Sequence, residues 1–176
     1  MWLSLHCLAA CLPESANVDF LLFDKEPGWF KYTQFLSAAI KYLAPSSTAK
    51  WGGRMDLTLT VDHPVNATLR AVAPGLDVIL VVAACEALRP AYGPPTVDTV
   101  FFRSLLPLLK VGTLLVFVEP QFNVPNAVQG LTVGNKRFSC PPNHPAMRFP
   151  GVAGIKLLQV RGNLHLGDLS GLHAWV

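Results

Sequence analysis

The chain has 176 residues, enough for one domain with a core of its own. Hydrophobic residues make up 51%, charged residues only 14%, and the formal net charge is +3, so the composition fits a sheet buried on both faces or a membrane protein. A membrane-spanning helix needs an unbroken apolar run of roughly 20 residues. None exists, because the longest runs, such as Val78–Cys85 and Thr113–Val118, are strand-sized.

Trp2–Leu12 predicts an apolar helix, broken by Pro13-Glu14-Ser15. Met1–Ala10 lacks the positive start of a signal peptide and carries His6 within its apolar stretch. An intracellular chain with reduced thiols is therefore expected. The sequon Asn66-Ala67-Thr68 is then a chance match. The four cysteines, Cys7, Cys11, Cys85 and Cys140, form no CxxC pair. Cys140 and His144 are half of a zinc set at most, since zinc usually takes four ligands. No metal site is expected.

Val18–Phe23 is a short apolar run ending in Asp24 and predicts a buried strand. Pro27-Gly28 turns the chain into a helix over Trp29–Leu43, closed by Pro45-Ser46-Ser47. Met55–Val61 alternates apolar and polar residues and predicts a second strand, closed by Asp62-His63-Pro64. A short helix over Val65–Val72 follows, up to Pro74-Gly75. Asp77–Ala84 is almost unbroken aliphatic, as in a central parallel strand covered on both faces. A proline-rich loop, Arg89–Pro95, leads to a helix over Thr96–Leu109. Gly112 then turns the chain into a strand over Thr113–Val118. From Asn123 to Pro150 the pattern weakens. Ile155–Val160 and Leu172–Val176 read as closing strands, as in an antiparallel pair.

This alternation predicts an α/β fold, a Rossmann-like and mostly parallel sheet flanked by helices. It forms one domain over 1–176: a core of alternating elements over 1–120 and a basic, Pro/Gly-rich part over 121–176. After Gln121 stand five bases, Lys136, Arg137, Arg148, Lys156 and Arg161, against the single acid Asp168. That balance suits a phosphate-bearing partner such as RNA, or simply a solvated surface.

Open parallel sheets bind ligands at the carboxyl ends of their strands. The residues there are Asp24-Lys25-Glu26, Asp62-His63, Ala83-Ala84-Cys85-Glu86 and Glu119-Pro120-Gln121. Asp24 can accept both hydrogen bonds of a ribose diol, or it is a loop acid. Asp62 can accept from an adenine amino group, or it forms the turn before Pro64. His63 is a base or a solvated loop residue. Glu86 faces a reaction edge or starts a helix.

The runs Phe20–Asp24, Asp62, Asp77–Val82 with Cys85-Glu86-Ala87-Leu88, and Leu105–Lys110 followed by Gly112–Pro120 together resemble a class I S-adenosylmethionine-dependent methyltransferase. The ribosomal-RNA methyltransferase-like branch, with its mitochondrial ribosome-assembly group, is the one resembled. The likeness covers residues 1–120 and rests on order and spacing. It implies S-adenosylmethionine as cofactor and RNA as partner, with Asp24 on the ribose, Asp62 beside the adenine, His63 next to it, and Ala84, Cys85 and Glu86 along the methyl-transfer edge. The family opens with a strand and a glycine-rich loop, where only glycine lets the backbone approach the cofactor closely. No GxGxG precedes Asp24, and Gly52-Gly53 falls elsewhere. The expectation is therefore a family member without that strand and loop. It would bind the cofactor weakly and leave an incomplete sheet edge for a protein partner.

Two further readings stand beside it. One is a noncatalytic, methyltransferase-derived scaffold in ribosome assembly. The other is a different Rossmann-like nucleotide-cofactor enzyme, such as a dehydrogenase. Neither a GxSxG elbow nor a GxxxxGK[ST] loop occurs, which sets aside the α/β serine hydrolases and the P-loop nucleotidases.

Overall fold

The first strand, β1 (Asp19–Asp24), is the apolar run Phe20–Phe23 held between two aspartates. It pairs in parallel with β2 (Thr48–Arg54). A parallel pair needs a crossover, and α1 (Phe30–Leu43) supplies it. A 3₁₀ turn at Pro27–Trp29 leads into α1. The helix buries Thr33 and Ile40 and leaves Phe35 and Tyr42 exposed. Phe30 meets Trp51 of β2 edge to face, with ring centroids 6.3 Å apart. The register slips between Leu22 and Phe23, which leaves Gly52 without an opposite residue. The Phe23 ring fills that place, and a Cβ on Gly52 would lie 2.5 Å from its Cζ. Glycine is what lets the ring sit there.

The computed structural model describes residues 17–43, 45–84, 87–88, 98–119, 123–141 and 154–162. The expected strands and helices at Trp2–Leu12 and Leu172–Val176 lie outside them. The chain divides into two compact units, Met1–Ala73 and Pro74–Val176.

In the first unit, one expected strand is a loop. Met55–Val61 carries strand-like alternation, but the strand is the preceding segment, β2. Local side-chain hydrogen bonds explain the difference. Asp56 Oδ1 accepts from the Thr58 amide at 2.9 Å and from its hydroxyl at 2.6 Å, which turns the backbone. The fully buried Asn66 then locks the loop. Its Nδ2 donates to the carbonyls of Asp56 and Thr60 at 3.0 and 2.9 Å, and its Oδ1 accepts from the Asp56 amide at 2.8 Å. The Asn66 sequon is thus an interior residue. A 3₁₀ turn at Pro64–Asn66 runs into α2 (Ala67–Val72).

The second unit holds a five-stranded sheet in the order β3-β4-β7-β6-β5. Its strands are β3 (Val78–Val82), β4 (Leu114–Glu119), β5 (Thr132–Val133), β6 (Lys136–Ser139) and β7 (Gly154–Gly162). β3 and β4 are parallel, joined through α3 (Val100–Leu105) and a 3₁₀ turn at Leu106–Leu108. The other three pairings are antiparallel. Over the described residues the fold is therefore mixed α/β, with two parallel and three antiparallel pairings rather than a mostly parallel sheet. β3, read as a central strand, is an edge strand of this sheet among the described residues, and Val78 is 47% exposed. The middle strand is β7, between β4 and β6.

Phe101, Phe102, Leu105 and Leu106 bury one side of α3 and its turn. Phe102 packs on Phe117 of β4, centroids 5.6 Å apart. Leu115, Phe117, Leu158, Val160 and Phe138 complete that face of the sheet. The segment after Asn123, where the pattern weakened, forms α4 (Asn123–Val128) and the β5–β6 hairpin. The hairpin turns on Gly134-Asn135, with Gly134 at φ 58°. A two-residue Gly-Asn loop suits this left-handed geometry.

Candidate functional site

Asp24 closes β1 beside Arg54, its register partner at the same end of the parallel pair. Its Oδ1 accepts from the Glu26 amide at 2.9 Å, so one carboxylate oxygen is spent on the turn out of the strand. The loop from Met55 to Asn66 follows Arg54, and the Met55 amide donates to the Asp24 carbonyl at 3.0 Å. Asp56, within that loop, is more acidic than an ordinary carboxyl. Partial burial pushes its pKa up, but the Thr58 hydroxyl and amide and the Lys25 ammonium outweigh burial and hold it below the usual carboxylate value. Lys25 Nζ stands 3.3 Å from Asp56 Oδ2.

Asp62 and His63 have local partners. The Asp62 side chain is 64% exposed and pairs with Arg70 Nε at 3.0 Å. His63 is exposed and caps the turn at Pro64–Asn66, its Nδ1 accepting from the Val65 amide at 3.3 Å. That bond requires an unprotonated Nδ1.

In the second unit the parallel strands β3 and β4 end together, with Val82 opposite Val118. Ala83 follows at φ 51°, a left-handed conformation rare for a residue with a Cβ. Its amide donates to the Val118 carbonyl at 3.0 Å. The next amide, of the buried Ala84, donates to Glu119 Oε1 at 2.5 Å. Glu119 is itself 1% exposed. The carboxylate at the end of β4 thus holds the turn at the end of β3. Cys85 and Glu86 lie outside the described residues.

On the same face, two residues on in β7 from the partner of Glu119, stands Lys156, also buried. Its Nζ donates to Asn126 Oδ1 of α4 at 2.5 Å. Sequence reading counted Lys156 only as one of a group of bases. Its place in the alternation of β7, among Leu158 and Val160, was the available sign of burial. Asn66, which organises the other unit, was read only as a sequon.

The cofactor's demands can be set against these groups. Asp24 keeps one carboxylate oxygen beyond its turn bond and Asp62 is accessible, so acceptors for ribose and adenine exist. No backbone cradle is present among the described glycines of the first unit. Phe23 fills the space over Gly52, the Thr68 hydroxyl lies 3.3 Å from a Cβ placed on Gly53, and a Cβ placed on Gly28 would point into open space. Among the described residues no three His, Cys, Asp or Glu side chains gather into a metal-binding group, and no helix is long and apolar enough to cross a membrane. No family model matches the chain, and no curated protein matches it.

Proposed function

We propose that the chain is a methyltransferase-like protein of Rossmann-like descent that is bound to RNA. The observation that carries this reading is the acid closing a parallel strand: Asp24 at the end of β1, paired in parallel with β2. Carboxyl ends of parallel strands are where α/β folds take ligands. S-adenosylmethionine is the proposed cofactor, with Asp24 toward the ribose and Asp62 toward the adenine. It would supply an electrophilic methyl group, and the protein's part would be alignment and exclusion of water. The excess of bases over acids after Gln121 supports RNA as the partner.

Two specific findings favour the noncatalytic scaffold as a second reading. The Ala84 amide, proposed to line the methyl-transfer edge, is already taken by Glu119, and Phe23 covers Gly52. A chain of this kind would bind RNA and hold the cofactor weakly or not at all. Calorimetry with S-adenosylmethionine on residues 1–176 separates the two. Tight binding with methyl transfer to RNA supports the enzyme. RNA binding without measurable cofactor binding supports the scaffold. Absence of affinity for structured RNA in low salt overturns both.

A further inference from the structure

Four bases after Gln121 lie among the described residues: Lys136, Arg137, Lys156 and Arg161. The two lysines are committed within the fold. Lys136 Nζ donates to the carbonyls of Pro107 and Leu109 at 2.9 and 2.6 Å, which closes the end of the turn after α3. Lys156 is buried against Asn126. The two arginines have no ion-pair partner among the described residues.

Those arginines stand directly opposite each other, Arg137 on β6 and Arg161 on β7. Opposed residues on antiparallel strands lie about 5 Å apart at Cα and project to the same side. Like charges so placed repel. Their strand neighbours Phe138 and Val160 are buried on the opposite side, so the register that fills the core forces the guanidiniums together. Thr132 pairs with Arg137, and Ser139 pairs with Gln159 in the next row on that side. No acid occurs in β5, β6 or β7.

We propose that this strip, Arg137 and Arg161 flanked by Thr132, Ser139 and Gln159, is a contact surface for the sugar-phosphate backbone of double-helical RNA. The inference rests on the RNA-bound reading above and places it on named residues. Paired guanidiniums take a phosphate through several charge-assisted hydrogen bonds, and a bound anion relieves their repulsion. Thr132 and Gln159 donate to the Gly130 and Gly112 carbonyls at 3.2 and 3.4 Å, which leaves their side-chain oxygens, with the Ser139 hydroxyl, to meet sugar hydroxyls. The strip carries no aromatic ring, so it offers no platform for the unstacked bases of a single strand. Backbone contact to a duplex remains, read by shape rather than sequence.

The test is binding of the full chain to a fluorescent RNA hairpin across a salt series, with Arg137→Ala, Arg161→Ala and the double variant. Each single change should lower the slope of log affinity against log salt by about one. The double variant should lose roughly tenfold in low salt. Its thermal midpoint should not fall below the parent's, since a repulsion is removed, so lost binding is not lost folding. A parent that binds the hairpin and a double variant with an unchanged slope overturn the strip and leave the RNA-bound reading standing. A parent that does not bind overturns both. Equal affinity for a DNA duplex of the same sequence, or equal competition by poly-glutamate, overturns RNA as the partner.

Discussion

The two units are held together by different means. Among the largest fully buried side chains, Met1–Ala73 contributes Ile40 and Val61, whereas Pro74–Val176 contributes Phe102, Phe117, Phe138 and a set of leucines. The second unit has a mainly apolar core on one face of a five-stranded sheet, with Glu119 and Lys156 buried on the same face. Among its described residues the first has two strands and one long helix, and its loop after β2 is fixed by a buried amide, Asn66. A small sheet buries little apolar surface. Polar groups that satisfy one another then decide the backbone's path, and each becomes critical because its loss strands a partner.

This contrast is open to attack by mutation, with denaturant-dependent hydrogen exchange reading each unit's amides separately. The largest effect is expected from Phe117→Ala, which empties the space against Phe102 and should destabilise the amides of β4 and β7 by about 3–5 kcal/mol. A loss under about 1 kcal/mol would mean that the face is not close-packed. Next comes Asn66→Ala, which leaves the Asp56 amide without its acceptor and takes one of two donors from each of the Asp56 and Thr60 carbonyls. A destabilisation of roughly 2–3 kcal/mol is expected, confined to the first unit. An effect equal to that of a surface residue would remove the case for a polar keystone.

Asp56 gives the third test, through pH. The pKa of its carboxyl is held below the usual carboxylate value in the folded chain. A depressed acid adds stability above its unfolded value and loses it as pH falls through the folded one. Asp56→Asn should thus be less stable than the parent near neutral pH, by about 1–2 kcal/mol. The gap should close as the pH drops below the folded value. A gap unchanged at the acid end would show that the charge is not what matters. The smallest effect concerns Thr33, whose hydroxyl is buried without a hydrogen-bond partner among the described residues. Thr33→Val keeps the shape and removes the unsatisfied oxygen. The helix should gain about 1 kcal/mol, seen as slower exchange in α1.

Much of the element order was legible because apolar runs were bounded by strong breakers. β1 ends at Asp24, α1 stops before Pro45, and β4 follows Gly112, all close to the expected limits. Periodicity failed where local hydrogen bonding competed, at Met55–Val61, since Asp56 and Thr58 prefer each other to a neighbouring strand. It also failed to rank β3 and β4, because an aliphatic run does not say which strand has neighbours on both sides. The β5–β6 hairpin was missed although Gly134-Asn135 is a turn signal, since strands of two and four residues are too short to show alternation. As for the site, Asp24 and Ala84 fall at strand ends as expected. The pairing of Glu119 with the Ala84 amide spans 35 residues, and no spacing rule reports it.

Ala83 has one more consequence. A glycine would adopt φ 51° without steric cost, but it would also open several other basins to the chain as it leaves β3. The methyl group narrows those choices, and the tether from the next residue to Glu119 selects among what is left. As far as Ala84, the departure from the strand is therefore a guided exit with one heading, set by a carboxylate on the neighbouring strand.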